Sequence, residues 1–185
     1  AFLLFSCDLS GIQDFIYTTG VKGALKTLRA RSLYLEIFLE HVMDELLEKV
    51  GLSRTNLIYT GGGHAYALLP NSESCLQILH DFKQNINSWL LEEFDTDLYL
   101  ACAWTETSGN VLCNKKEGKE KYKKLFSILS QKLSMEKSKR YNASDLIKLN
   151  HKNTSGEREC RNCRRSSKLK DNDLCEFCSE ILYFS

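Results

Sequence analysis

The sequence holds a single proline, two methionines and two tryptophans, and its net charge is only +1 over 185 residues. It lacks any apolar run of about 18 residues, which excludes a membrane-spanning helix. The opening AFLLFSCDLSG is short and has no basic lead, which argues against a secretory signal. Internal repeats and low-complexity tracts are also missing. These absences leave a soluble, cytoplasmic globular chain with no membrane partner as the expectation. At 43% hydrophobic, the chain can bury one good core with a small appendage. It has no initiator Met and opens inside an apolar run, so it reads as a segment of something longer. The weak net charge hides one concentration: residues 115–140 carry ten Lys or Arg against three Glu, which leaves the remainder acidic.

Residues 2–8 (FLLFSCD) are bulky and apolar, which predicts a first strand ending at Asp8, and Ser10-Gly11 marks a sharp turn after it. A short helix over Ile12 to Tyr17 precedes a long amphipathic one. In the latter, Leu28, Leu35, Phe38, Leu39, Val42, Leu46 and Leu47 recur at three- and four-residue steps until Gly51. Strands over Asn56–Thr60 and His64–Leu69 flank Gly61, Gly62 and Gly63, a hairpin closed by Pro70. Helical periodicity returns over Glu73–Phe94, and Leu98–Thr105 reads as a strand. The order β-α-α-β-β-α-β predicts an α+β fold: a ferredoxin-like antiparallel sheet with helices on one face. The basic segment from Lys115 to Arg140 is expected to form a helix at the sheet's margin. Polar residues 151–159 (HKNTSGERE) then lead into a second unit, giving domains 1–150 and 151–185.

That second unit carries the strongest signal. Cys160-x2-Cys163-x11-Cys175-x2-Cys178 supplies two knuckles whose spacing lets four thiolates surround one tetrahedral zinc ion. Such a closed site leaves no position for water, so its zinc is structural and substitutes for a core that so few residues cannot build. Arg161, Arg164, Arg165 and Lys168 surround the first knuckle and would favour ionised thiols. Two redox CxxC pairs are the competing reading. The other cysteines, Cys7, Cys75, Cys102 and Cys113, lie in or beside apolar segments, which speaks for reduced thiols rather than a disulfide scaffold.

The strand ending at Asp8 and the glycine tip together have the layout of a polymerase or cyclase palm, where carboxylates gather two Mg²⁺ ions. CDLSGIQDFIY, LKTLRARSLYLE, YTGGGHAYALLPN and the paired knuckles occur in that order. The set resembles the large subunit of type III CRISPR effector complexes, in its Csm branch. The resemblance runs through nearly the whole chain, covers the first palm and the zinc segment after it, and implies that the palm is GGDEF-like. It implies a parent with an HD nuclease domain that cleaves single-stranded DNA and a second palm that makes cyclic oligoadenylates when target RNA binds. Implied partners are that second palm of the same parent chain, other CRISPR effector subunits, and guide and target RNA through the complex.

In this chain the two acidic positions of an active cyclase are occupied by Gly63 and His64, so no catalytic residue is expected here. The resemblance instead implies an ATP site formed by Asp8, Ser10, Gly11, Gly61, Gly62, Gly63 and His64, with Mg²⁺ accompanying ATP in the full-length protein. Plainer roles stay open: a turn for Asp8, an ordinary hairpin tip for His64 and the glycines, a solvated helix face for Arg29 and Arg31, and plain surface for the Lys-rich run. A stand-alone nucleotide cyclase and a zinc-stapled RNA or protein interaction module are the alternative functions.

Overall fold

The structure is a computed structural model that describes residues 1–18, 24–113, 119–151 and 158–184. Strand β1 (Phe2–Ser10) runs antiparallel between β3 (His64–Pro70) and β4 (Tyr99–Thr107). Strand β2 (Leu57–Gly61) pairs with β3, so the sheet order is β2–β3–β1–β4. The helices are α1 (Ile12–Tyr17), α2 (Ala24–Val50), α3 (Glu73–Phe94), α4 (Gly109–Leu112), α5 (Lys119–Ser138), α6 (Ala143–Asn150) and α7 (Glu176–Ile181). A two-stranded ribbon of β5 (Arg158–Glu159) and β6 (Ser166–Ser167) lies within the cysteine-bearing segment.

Alternation along β1 divides the core between two faces. Leu3, Phe5, Cys7 and Leu9 join Leu39, Val42, Met43 and Leu46 of α2 and Leu79, Phe82 and Leu90 of α3. Leu4, with Tyr99, Ala101 and Ala103 of β4, packs instead on Leu125, Leu129 and Leu133 of α5. A strand covered on both faces reads as a continuous apolar run, which is why FLLFSC shows no alternation in sequence. The ferredoxin-like order holds, and its two long helices share one face. The basic helix, expected at the margin, lies across β4 and β1 on the opposite face because its apolar stripe needs Leu4 and the β4 side chains to cover it.

Element ends follow local chemistry. Gly51 adopts φ 76° and ends α2 with Gly51 N–H donating to Glu48 O at 2.9 Å and Leu52 N–H to Leu47 O at 2.8 Å. Ser72 caps α3 by accepting from Cys75 N–H at 3.2 Å. The free edge of β4 is covered by side chains: Asn87 of α3 both donates to Leu100 O and accepts from Leu100 N–H at 2.9 Å, and Lys132 donates to Trp104 O at 2.8 Å. Strand β1 continues two residues past Asp8 to Ser10, paired with Tyr99 there. Helix α6 was not foreseen, although Asn142 and Asp145 form a reciprocal capping box at its start. The linker reading over 151–159 falls mostly outside the described residues, and Arg158–Glu159 form β5. Lys115 and Lys116 likewise lie outside the described residues.

Candidate functional site

The turn between β2 and β3 is a two-residue loop, Gly62-Gly63, with φ 58° and 85°, flanked by the Gly61–His64 pair. Positive φ at both positions matches the twist of a tight hairpin and favours glycine. Gly63 also meets β1 directly: Leu9 N–H donates to Gly63 O at 2.8 Å, and a Cβ on Gly63 would lie 2.2 Å from Ile12 Cδ1. Gly11, at φ 92°, is tighter still, since a Cβ there would meet Asp97 O at 1.8 Å. Gly62 has nothing within 4 Å of an added Cβ and forms the open tip.

Asp8 stands directly opposite His64 in the β1–β3 register, and its Oδ2 lies 3.3 Å from His64 Nδ1. Lys137 of α5 donates to the same oxygen at 2.5 Å. The carboxylate is 13% exposed and already holds a cation. Gathering divalent ions needs several carboxylates close together. Among the described residues, the one group of three or more His, Cys, Asp or Glu side chains that could hold a metal is the four cysteines, not the hairpin end. Ser10 is buried at the end of β1, and its Oγ has no hydrogen-bond partner among the described residues. The sheet end therefore brings Asp8, His64 and Gly63 together around β1, with Ser10 and Gly11 at the following turn against Tyr99 and Asp97. Lys137, at its centre, was not singled out in the sequence.

The cysteine cluster is the second centre. The sulfurs of Cys160, Cys163, Cys175 and Cys178 lie within 4.8 Å of one another, and Cys163 and Cys175 Sγ are 3.7 Å apart. Four sulfurs about 2.3 Å from one tetrahedral ion sit about 3.8 Å apart along each edge, so the donor set fits a metal, and the spacing is far beyond an S–S bond. Backbone amides point at the sulfurs: Asn162 and Cys175 N–H donate to Cys160 Sγ at 3.4 and 3.2 Å, and Cys178 N–H to Cys175 Sγ at 3.4 Å. Such donors stabilise thiolates. Hydrogen bonds from the Cys175 and Cys178 thiols, aided by Arg165, hold Cys163 well below the ordinary thiol range. By contrast, burial pushes the Cys7 thiol up to about 12 and holds Cys102 well above the ordinary thiol range, which leaves both as inert core residues.

Arg165 joins the cluster to the palm by donating to Glu93 O at 2.7 Å while lying 5.2 Å from the Phe94 ring centre. Arg161, Arg164 and Lys168 are exposed. Phe177, between the last two cysteines, enters an aromatic group with Phe15, Tyr34 and Phe94, with ring centres 5.8, 5.0 and 5.4 Å away. Arg31 is fully buried rather than on a solvated face, whereas Arg29 is exposed.

Residues 1–152 match the family model described as Csm1 subunit domain B. The chain belongs to the Csm1 family. It is 42% identical over 188 residues to a protein of Streptococcus thermophilus named CRISPR system single-strand-specific deoxyribonuclease Cas10/Csm1 (subtype III-A), covering 100% of this chain and 25% of that protein. The chain thus spans about a quarter of the length of the curated Csm1 relatives it matches. A crystal structure of a Csm1–Csm4 cassette in complex with one ATP superposes with a TM-score of 0.69 at 35% identity, over 83% of this chain and 20% of that one. A cassette in complex with cA4 gives the same TM-score and identity, over 83% and 21%. Among the described residues, no helix is long and apolar enough to cross a membrane.

Proposed function

We propose that this chain is the first, catalytically degenerate palm and the following zinc segment of a type III-A CRISPR large subunit, with the unit boundary near residue 150. The palm receives one ATP at the end of β1 and the glycine hairpin, and presents it across an interface to a second palm of the same parent chain. Other Csm subunits, guide RNA and target RNA are its partners through the complex. The observation that carries this reading is the state of Asp8: its carboxylate is neutralised by Lys137 and flanked by His64, and among the described residues no acidic cluster forms there to gather magnesium.

The residues divide the work accordingly. The open Gly62 tip admits a phosphate or ribose close to backbone, and the buried Ser10 hydroxyl, which has no partner among the described residues, offers a hydrogen bond in the turn. Lys137 and His64 place donors beside Asp8 that favour an anionic ligand at this end of the sheet. Mg²⁺ arriving with ATP and held by the second palm's acids would lower the cost of charge on the α-phosphate. The parent's oligoadenylate synthesis and single-stranded DNA cleavage then reside outside this palm. The four cysteines hold zinc as a structural ion.

Calorimetric titration of ATP into the complete protein, with both palms present, tests the pocket. A Ser10→Ala, Gly62→Ala pair is expected to weaken ATP by about 5- to 30-fold, the worth of one or two hydrogen bonds of about 1 kcal/mol each. Ser10→Ala alone should leave the melting temperature nearly unchanged, because its hydroxyl has no partner to lose among the described residues. Unchanged ATP affinity in the pair removes the pocket assignment.

A further inference from the structure

Arg31 lies in the first half of α2, 1% exposed, where the helical period calls for an apolar residue. Its guanidinium donates to Phe15 O and Thr18 O, both at 2.5 Å, rests 5.3 Å from the Phe15 ring centre, and reaches Cys178 Sγ at 3.7 Å. Among the described residues it forms no ion pair with a carboxylate. Asp97 feels its charge, though less than that of Arg165. Burying a guanidinium without a counter-ion costs several kcal/mol, and two neutral carbonyls and a phenyl face offset only part of that. An anion is required beside it.

The cysteine cluster supplies one. A divalent ion inside four thiolates leaves an excess of two negative charges, and Cys178 is completely buried at the point where Arg31 arrives. We infer that Arg31 is a positioning residue for the metal centre: its charge compensates the metal–thiolate cluster through Cys178 while its other bonds hold the end of α1. The palm thereby contributes a positive charge beside a ligand set that the four cysteines complete by themselves. This rests on the four-cysteine metal reading above. Its functional corollary is that the metal centre and the Ser10–Gly11 turn are joined by α1, whose first turn begins with Phe15 N–H donating to Gly11 O at 2.9 Å.

Zinc release to the chromogenic chelator 4-(2-pyridylazo)resorcinol, followed in the complete zinc-loaded protein, tests it. Partners that orient or balance metal ligands typically change affinity by about 10- to 100-fold, and Arg31→Met is expected to accelerate release within that range. Arg31→Lys, which keeps the charge, should stay within about tenfold of wild type. Phe177→Leu loosens the neighbouring aromatic packing on Phe15, Tyr34 and Phe94 without removing charge, and should release zinc more slowly than Arg31→Met. Cobalt substitution adds a spectroscopic readout, since the thiolate-to-cobalt absorption should shift in Arg31→Met and not in Phe177→Leu. Release from Arg31→Met at the wild-type rate, or no faster than from Phe177→Leu, overturns the inference. Should Arg31→Met fail to fold, Arg31→Lys decides alone, with release more than tenfold faster than wild type counting against it. A wild-type protein that holds no zinc defeats the metal reading itself, a different result from zinc held equally well with and without Arg31.

Discussion

Cys178→Ser, or prolonged chelation, is expected to remove about one zinc per chain and unfold residues 158–184 while the four-stranded sheet persists. The two parts differ in what holds them. The palm has a core of its own, with Phe5, Leu39, Met43, Leu46 and Leu79 almost wholly buried. The cysteine segment has the four sulfurs, with Leu169, Leu174 and Phe177 only partly buried around them. Structural zinc contributes about 10–16 kcal/mol of apparent binding free energy in small zinc-dependent folds, more than so few apolar groups could replace. The palm should still register the loss, because Phe177 leaves the aromatic group and Arg31 loses its thiolate partner. Partial withdrawal of one phenyl group predicts a destabilisation of about 1–2 kcal/mol there. Hydrogen exchange read by mass spectrometry separates these effects: full exchange over 158–184, modest acceleration in α1 and the first turns of α2, and little change in β1 and β4. Retained protection over 158–184 after zinc removal would show that the segment folds on side-chain packing alone.

Sequence made the central elements legible wherever one physical signal dominated. Three- and four-residue spacing of Leu35, Phe38, Leu39, Val42 and Leu46, stopped by Gly51, led to α2, and three glycines between alternating strands led to the hairpin. The CxxC pairs brought together four sulfurs that a contact pattern alone would not have identified. What escaped depended on tertiary partners. Arg31 reads as surface because arginine is rarely buried, and only the arrival of Cys178, 147 positions later, reveals its surroundings. Lys137 did leave a trace: the buried stripe Leu125, Leu129, Leu133 continues by one four-residue step onto a lysine. A charged residue on the buried line of a helix marks a place where it meets an opposite charge, here Asp8. The placement of α5 across the second face has the same origin, since its stripe needs a partner and β1 is apolar on both sides.

Gly11→Ala should be the most damaging single methyl in the palm, whereas Gly62→Ala, also at positive φ, should be mild. Both substitutions place an L-residue in left-handed backbone, which costs about 1–2 kcal/mol. At Gly62 nothing further is added, because the new Cβ meets open space. At Gly11 it would lie 1.8 Å from Asp97 O, a backbone atom that cannot swing aside as a side-chain end would. Relieving that overlap means displacing the β4 entry or the start of α1, so overpacking adds about 1–3 kcal/mol and the total reaches about 2–5 kcal/mol. Urea denaturation monitored by circular dichroism should show the midpoint fall sharply for Gly11→Ala and only slightly for Gly62→Ala. Equal stabilities for the two variants would mean that the Ser10–Gly11 turn is not packed on Asp97. The contrast also separates scaffold from ligand contact at the same sheet end. ATP affinity lost in Gly62→Ala at near-native stability belongs to the open tip, while affinity lost in Gly11→Ala follows from displacement of the turn that carries Ser10.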